Sequence, residues 1–410
     1  MTGKFQKYWL YISPHSYCNI KDEELLIYHT LTGEHIETEN REVIHLFKEL
    51  HKKENLGAIL ITGELLRSNP YQDFLDDFIS KKMGAAVPVK KQPEKPIQMM
   101  PILNLQRDID RIKDKEAIDS GEVLNKYLWE LDIYLTDKCK HHCAHCSEYS
   151  RQVPCCQKGN RGSMSKDLLV KIASQIKHTS LMRLNFYGGD VTTYEVIGDI
   201  DDIFKNFEGE IKIFNHFLNW RELNLSSRFS NCIIITFPTD FATIRDFWTN
   251  RHPESSIKFY FVITSESEYS EAQMIIDSLN LEEYDIRPFY TGNNEGFFRD
   301  FIMRNKEEIL SEEIISFRKI FSRQKMNNHF FGKLTIFPDG LVYTMMGKNR
   351  IGDLSKETLL QIIYKELHEN TAWRRVRNQV PCSDCLLQYL CPSPSVYEIA
   401  MGKYNLCLVK

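Results

Sequence analysis

The sequence predicts an α/β protein: a parallel sheet covered by helices, with a smaller unit before it and a cysteine-rich tail after it. Three observations carry this expectation. Between Tyr127 and Phe289, six buried-strand patterns alternate with helical ones, as parallel strands joined by crossover helices do. The first of those strands runs straight into a loop with three thiols, Cys139, Cys143 and Cys146. A stretch with four prolines, VPVKKQPEKPIQMMP from Val87, separates this region from an N-terminal part of different pattern.

Bulk numbers narrow the classes further. A chain of 410 residues holds two or three domains with ample core. Its 42% hydrophobic and 26% charged residues are those of an ordinary globular protein. A net charge of -4 and a pI near 6.4 give no general attraction to nucleic acid or acidic membranes. The start MTGKFQKYWLYISP has no apolar run with a cleavage site, and no segment is long enough for a membrane span, so a cytoplasmic protein is expected. In that compartment eleven cysteines read as metal ligands or redox groups rather than disulfides.

In chain order, residues 1–90 form the first expected unit. Tyr8 to Ile12 and Glu24 to His29 read as strands, followed by a turn at Thr32 and Gly33 and a short strand through His35 and Ile36. Val43, Leu46, Phe47 and Leu50 share one face of a helix that Asn40 caps; Phe74, Leu75, Phe78, Ile79 and Met83 share a face of a second, closed by Gly84. Residues 91–126 are a charged, proline-interrupted linker. The third region, 127–325, holds strands Leu131 to Leu135, Met182 to Tyr187, Ile211 to Phe217, Cys232 to Phe237, Ile257 to Ile263 and Tyr284 to Phe289. Helices are expected near Lys166 to Lys177, Phe241 to Trp248 and Ala272 to Leu279. The last region, 326–410, opens with a hairpin, Leu334 to Phe337 and Leu341 to Thr344 around Pro338-Asp339-Gly340.

Thiolates are the usual ligands of iron-sulfur clusters, and a four-iron cube has four corners, so a three-cysteine loop leaves one iron open to a non-protein ligand. A structural zinc would need closing by a fourth ligand, which His141, His142 or His145 can supply. Cys382, Cys385, Cys391 and Cys407 make four thiols, a closed site that suits either zinc or a cluster. Thr236 and Asp240, like Asn215, His216, Thr264, Glu266 and Arg287, are polar groups near strand ends. Asp240 is the expected proton acceptor, weighed against a capping role. Cys155 and Cys156 read as free, partly buried thiols, with a thiol relay or a substrate contact as the alternatives.

The C-x3-C-x2-C spacing after a strand resembles the radical S-adenosylmethionine (SAM) superfamily, and Gly188, Gly189 and Asp190, closing the next strand, are similar to that family's Gly-Gly-Glu. The resemblance implies a partial (β/α)6 TIM-like barrel. In it a [4Fe-4S] cluster on Cys139, Cys143 and Cys146 chelates SAM through its open iron, and the reduced cluster cleaves SAM to a 5'-deoxyadenosyl radical. His145, Tyr187, Gly188, Gly189, Asp190 and Thr236 are the implied SAM contacts, with aspartate in place of the family's glutamate. The tail resembles the SPASM extension of radical SAM maturases. Met345 and Ser395 stand where that family has cysteines for an inner cluster, so one auxiliary [4Fe-4S] cluster is implied, on Cys382, Cys385, Cys391 and Cys407.

The N-terminal unit resembles the winged-helix-like element that binds a precursor's leader by strand addition. KYWLYISP with LTGEHIE is similar to proteins of the GG-Bacteroidales peptide systems, some of which lack the cluster cysteines that this chain keeps. Together these imply a maturase of ribosomally made peptides, acting by hydrogen abstraction and oxidative C-S or C-C cross-linking. Its partners would be a precursor peptide with a leader and an external electron donor of flavodoxin or ferredoxin type. Peptide epimerisation, sulfatase-type maturation and non-catalytic precursor binding are the alternatives.

Overall fold

The structure is a computed structural model that describes residues 6–97 and 124–409, apart from 145, 147, 149–151, 222, 224, 252–255, 345–349 and 370–371. Most of the expected linker, His145 and Met345 therefore lie outside the described residues.

The N-terminal unit holds six strands, more than the three expected. Strand β1 (Lys7–Ile12) lies between β5 (Ala58–Thr62) and β6 (Gly84–Pro88), antiparallel to both. Strands β2 (Ser16–Lys21), β3 (Glu24–His29) and β4 (His35–Thr38) form a second antiparallel sheet. The helix Arg41–Leu50 begins where Asn40 accepts the amides of Glu42 and Val43 at 3.0 and 3.3 Å, a cap worth about 1 kcal/mol. It buries Phe47 edge-on against Phe74 and Phe78 of the helix Tyr71–Ser80. Gly84 starts β6 rather than merely closing a helix, because a Cβ there would stand 2.2 Å from the Phe78 ring.

The central sheet has nine strands in the order β12-β11-β10-β9-β8-β7-β13-β14-β15. Strands β7 (Glu130–Thr136), β8 (Arg183–Gly188), β9 (Glu210–His216), β10 (Phe229–Thr236), β11 (Ile257–Ile263) and β12 (Tyr284–Pro288) are the six expected, all parallel. Strand β13 (Lys333–Ile336) departs from expectation. Instead of belonging to a separate tail unit it pairs in parallel with β7, and carries β14 (Leu341–Thr344) and β15 (Arg350–Asp353) antiparallel beyond it.

Period-two alternation sends the two faces of this sheet to different environments. Leu131, Ile133, Leu184, Phe186, Ile211 and Ile213 pack under the helices Lys166–Ile176 and Leu359–Glu369. Ile233, Ile235, Phe259 and Phe261 pack under Phe241–Asn250 and Glu266–Leu279. The opposite face carries a row of rings: Phe337, Tyr134, Tyr187, Phe214 and Tyr260, with successive centroids 4.8, 5.1, 4.5 and 5.3 Å apart. Beneath the row, at the N-terminal strand ends, charges interlock. Arg183 bridges Glu130 (3.0 Å) and Glu210 (2.8 Å), Lys333 reaches Glu130 (3.1 Å), and Asn185 donates to Asp132 (2.8 Å). Burial, with Glu130 adding repulsion, pushes the Asp132 carboxyl up to about 7.

The N-terminal unit rests on the cysteine-bearing tail. Tyr17, Leu26 and Tyr28 bury against Ile309, Leu310, Ile320, Leu387 and Leu390. Asn19 donates to the Leu386 carbonyl at 2.7 Å, and Lys21 to the Ser383 carbonyl at 2.6 Å and the Gln388 side chain at 2.7 Å.

Candidate metal and cofactor site

The three-thiol loop leaves β7 through a turn fixed by Thr136. Its buried hydroxyl meets Ser163 Oγ at 2.9 Å and accepts the Lys138 amide at 3.2 Å. Asp137 accepts the amides of Arg161 and Gly162 and so holds residues 159–163 against the loop. Two of the three thiols that follow receive N–H donors: Cys139 Sγ from Asn219 Nδ2 and Cys146 Sγ from the Lys158 amide, both at 3.4 Å. Cys143 instead packs against the apolar group that contains Tyr134 and Tyr187. Burial, then the neighbouring thiols, raises its pKa to about 11. Burial also lifts Cys146, opposed by the Lys158 amide. Such thiols stay protonated in water, and a bound metal supplies the positive charge that would make them ligands.

At the end of β8 the glycine pair makes room for this loop. A Cβ on Gly189 would stand 2.4 Å from the Lys138 carbonyl oxygen, and one on Gly188 2.9 Å from that of Thr136. The close approach that requires glycine is therefore to the loop backbone, to which Gly189 and Asp190 donate their amides at 2.7 Å. Asp190 is buried, and its Oδ1 accepts the Thr192 amide at 3.1 Å and hydroxyl at 2.6 Å. Tyr187 lies between Tyr134 and Phe214 in the ring row.

Beyond the loop, the ends of β9 and β10 contribute a buried polar group. His216 Nδ1 accepts the Leu218 amide at 3.3 Å, which puts the ring proton on Nε2, 3.0 Å from Thr236 Oγ1. Burial, with His141 second, lowers His216 to about 4, so it is neutral at physiological pH. The His141 ring centroid stands 6.5 Å from it. Four buried atoms here have no partner among the described residues: His141 Nε2, Asn215 Oδ1, Asn219 Oδ1 and Thr239 Oγ1. Unpaired buried polar atoms are uncommon, and four at one end of a sheet match a ligand that is itself rich in polar groups.

Asp240 is placed elsewhere in character. It is the exposed N-cap of the helix Phe241–Asn250, accepting the Ala242 amide at 3.1 Å and the Thr243 hydroxyl at 2.7 Å. Those bonds hold its carboxyl below the usual range, the wrong direction for a base poised near neutrality.

The tail thiols form the second group. Cys382 Sγ accepts from Arg377 Nη1 at 3.4 Å, Cys385 Sγ from the Leu387 amide at 3.4 Å, and Cys407 Sγ from Asn405 Nδ2 at 3.3 Å. Burial pushes Cys391 up to about 12, with Arg377 opposing and Cys385, Cys407 and Cys382 adding to the rise. Arg377 is itself held by Glu398 at 2.8 Å, both nearly out of solvent. The site flanks a cavity of about 1220 Å³ that reaches Glu24 and Glu37 of the N-terminal unit.

Among the described residues, no three His, Cys, Asp or Glu side chains stand close enough to hold a single metal ion. Thiols, most of them receiving N–H donors, give both places the donor chemistry of a thiolate-ligated metal group. Three of the cofactor candidates thus surround the loop (Gly188, Gly189, Asp190) and Thr236 joins the polar group beyond it. Asn219 and Thr239, which the sequence did not single out, and His141, read there only as a zinc ligand, join this polar group. Asn219 follows β9 by three residues in no motif, and only the fold brings it to Cys139.

No family model matches the chain, and no curated protein matches it. Among solved structures it is similar to Streptococcus suis SuiB bound to its precursor peptide SuiA, at 12% identity and a TM-score of 0.47, over 97% of this chain and 98% of that one. SuiB bound to S-adenosylmethionine gives 12% and 0.47, over 96% and 97% of the two chains. A histidine-tagged anSMEcpe with bound AdoMet gives 13% and 0.34, over 64% and 84%.

Proposed function

We propose that this chain is a radical SAM enzyme that modifies a ribosomally made precursor peptide by hydrogen abstraction and oxidative C-S or C-C cross-linking. One observation carries the reading: three thiols at the end of β7, seated on the Gly188–Gly189 strand end, with four unpartnered buried polar atoms on the loop and at the ends of β9 and β10. Cys139, Cys143 and Cys146 would hold a [4Fe-4S] cluster. Gly188, Gly189, Asp190, Asn215, Asn219, His141, Thr236 and Thr239 would flank SAM, with His145 and Tyr187 carried as expectations. SAM on the reduced cluster supplies a 5'-deoxyadenosyl radical when bound.

The rest falls to the chain itself. The ring row from Phe337 to Tyr260 is a dry wall that keeps water from a reactive intermediate, in the manner of a half-barrel interior. Neutral His216 fixes Thr236 without adding charge to the site. Cys382, Cys385, Cys391 and Cys407 would hold the auxiliary [4Fe-4S] cluster as a fully ligated electron acceptor. The N-terminal unit offers the edge of β4, beside a groove lined by Phe74, Lys81 and Ile314, to a leader adding as a strand.

Residues 1–90, 91–126, 127–325 and 326–410 are read as recognition unit, linker, radical SAM domain and SPASM-like domain, the last lending its hairpin to the sheet of the third. A reduced flavodoxin or ferredoxin would charge the cluster. Among the described residues no helix is long and apolar enough to cross a membrane.

The test is anaerobic turnover with precursor peptide, SAM and dithionite. It is expected to yield 5'-deoxyadenosine and a peptide about 2 Da lighter. An unchanged mass would convert the reading to epimerisation, and leader binding without SAM cleavage to a non-catalytic precursor-binding role.

A further inference from the structure

The sheet face opposite the helices is shut. Phe337, Tyr134, Tyr187, Phe214 and Tyr260, the rings along it, are each no more than 7% exposed. Every buried residue packed in their group comes from a strand of the sheet or directly follows one, with three exceptions: Val153, Cys155 and Cys156. The stretch 152–157 therefore helps cover this face as helices cover the other, although residues 153–157 form neither helix nor strand.

Its two ends are held in different ways. At 157–159 main chain meets main chain: the Gln157 amide donates to the Gly188 carbonyl at 3.0 Å and the Gly159 amide to the Asp137 carbonyl at 3.2 Å. At the 152 end the hold is a side chain. Gln152 Nε2 donates to the Tyr290 carbonyl at 2.9 Å, and Gln152 Oε1 accepts the Tyr290 amide at 2.8 Å, two residues beyond β12. Three strands, β11, β10 and β9, lie between β12 and β8, so the strap runs across the parallel sheet from one tie to the other. Between them the Tyr134 hydroxyl donates to the Cys155 carbonyl at 3.3 Å. A side-chain amide paired in both directions with a backbone amide copies the bonding of a neighbouring strand, yet rotation of one side chain undoes it.

We propose that residues 152–157 are a displaceable strap standing in for substrate: the Gln152–Tyr290 clasp opens, the strap swings about its 157–159 end, and an apolar segment of the precursor peptide takes the place of Val153, Cys155 and Cys156 against the rings. This rests on the reading of the chain as a peptide-modifying radical SAM enzyme. The ring row itself carries no charge, so it selects valine-, leucine- or aromatic-type side chains and would leave a charged one without a partner. With no substrate present, the closed strap keeps water off the same wall. The competing role is a permanent piece of core that never leaves the sheet.

Three native thiols report on the strap. Cys155 and Cys156 lie on it, and Cys232, on β10, belongs to the same buried group of the sheet. The experiment labels the anaerobically reconstituted full chain with N-ethylmaleimide and maps the labelled cysteines by mass spectrometry. Wild type is compared with Gln152→Ala, each alone and with SAM plus a precursor peptide that passes the turnover test above. Without peptide, Gln152→Ala should label all three thiols about thirtyfold faster than wild type, the value of two lost hydrogen bonds, while Cys18 of the N-terminal unit labels as before. With peptide bound, Cys155 and Cys156 should label faster while Cys232 stays protected, because the peptide then covers it. Gln152→Ala should also bind the peptide more tightly by up to the same factor, since the open state is no longer scarce.

Unchanged labelling in Gln152→Ala, a rise shared by Cys18, or strap thiols that stay protected while peptide is bound would each overturn the proposal and leave SAM cleavage untouched. A reconstituted chain that cleaves no SAM with any peptide would instead bring down the functional reading, and with it the substrate's place under the strap, whatever the labelling shows.

Discussion

The two thiol groups are built on opposite principles. Around the tail site, three of four sulfurs accept an N–H, a guanidinium stands against Cys382, and Arg377 and Glu398 form an ion pair at 2.8 Å out of water, with Glu398 Oε1 and Arg323 Nε still lacking a hydrogen-bond partner. Around the three-thiol loop and the neighbouring strand ends, one polar atom each of His141, Asn215, Asn219 and Thr239 is left without a partner among the described residues. On the function proposed above, the tail would be closed by its own four thiols, whereas the loop would need a further ligand from outside the chain, although the residue type is the same.

The strongest way to break this comparison is to empty each site in turn. Cys139→Ala should lower iron from about eight to about four per chain and abolish 5'-deoxyadenosine formation. Cys391→Ala should lose a similar amount of iron yet keep SAM cleavage within about tenfold, since it removes an acceptor rather than the radical source. Equal losses of cleavage would erase the distinction.

Next in size is Arg377→Ala. It strands the buried Glu398 carboxylate, and thermal or denaturant unfolding should register a loss of about 3–5 kcal/mol, partly recovered when Glu398→Gln is added. Asp132 gives a smaller effect with a definite sign. Its folded pKa, about 7, lies above its ordinary value of 3.8, so its contribution to stability is full below about pH 4 and is lost as pH rises through 7. Asp132→Asn should flatten that stretch of the stability–pH curve and raise stability at pH 8 by on the order of 2 kcal/mol. The smallest effect belongs to Asn219→Ala, which removes a donor to Cys139 Sγ. The loop cluster's potential should fall by about 50 mV, read by spectroelectrochemistry, while the tail cluster stays put.

What was legible in the sequence follows the range of the forces involved. The six parallel strands were readable because each is a run of apolar residues buried on one or both faces, and Ile257–Ile263 emerged with both ends as expected. Local hydrogen bonds were also readable, as with Asn40 before its helix. Strand β6, GAAVP, was not: it has small side chains and little alternation, and its extended form comes from pairing with β1. Nor was the pairing of β13 with β7, two segments about two hundred residues apart.

At the site, the cysteines and glycines were visible as types and spacings, but the reason for the glycines was not. They accommodate the loop backbone, a contact that no local pattern encodes. Asp240 illustrates the converse. An acid at a strand end drew attention as a base, while the same acid two and three residues before Ala242 and Thr243 is a helix cap.

The strand pair that carries Asn19 and Lys21 hangs from backbone and side-chain oxygens of residues 383–388, inside the stretch that bears three of the four tail thiols. If those thiols hold an iron-sulfur cluster as proposed, residues 16–38 would share the air sensitivity of a metal they never touch, and handling in oxygen should slacken the grip at the front of the molecule first, well before the helix-covered sheet begins to melt.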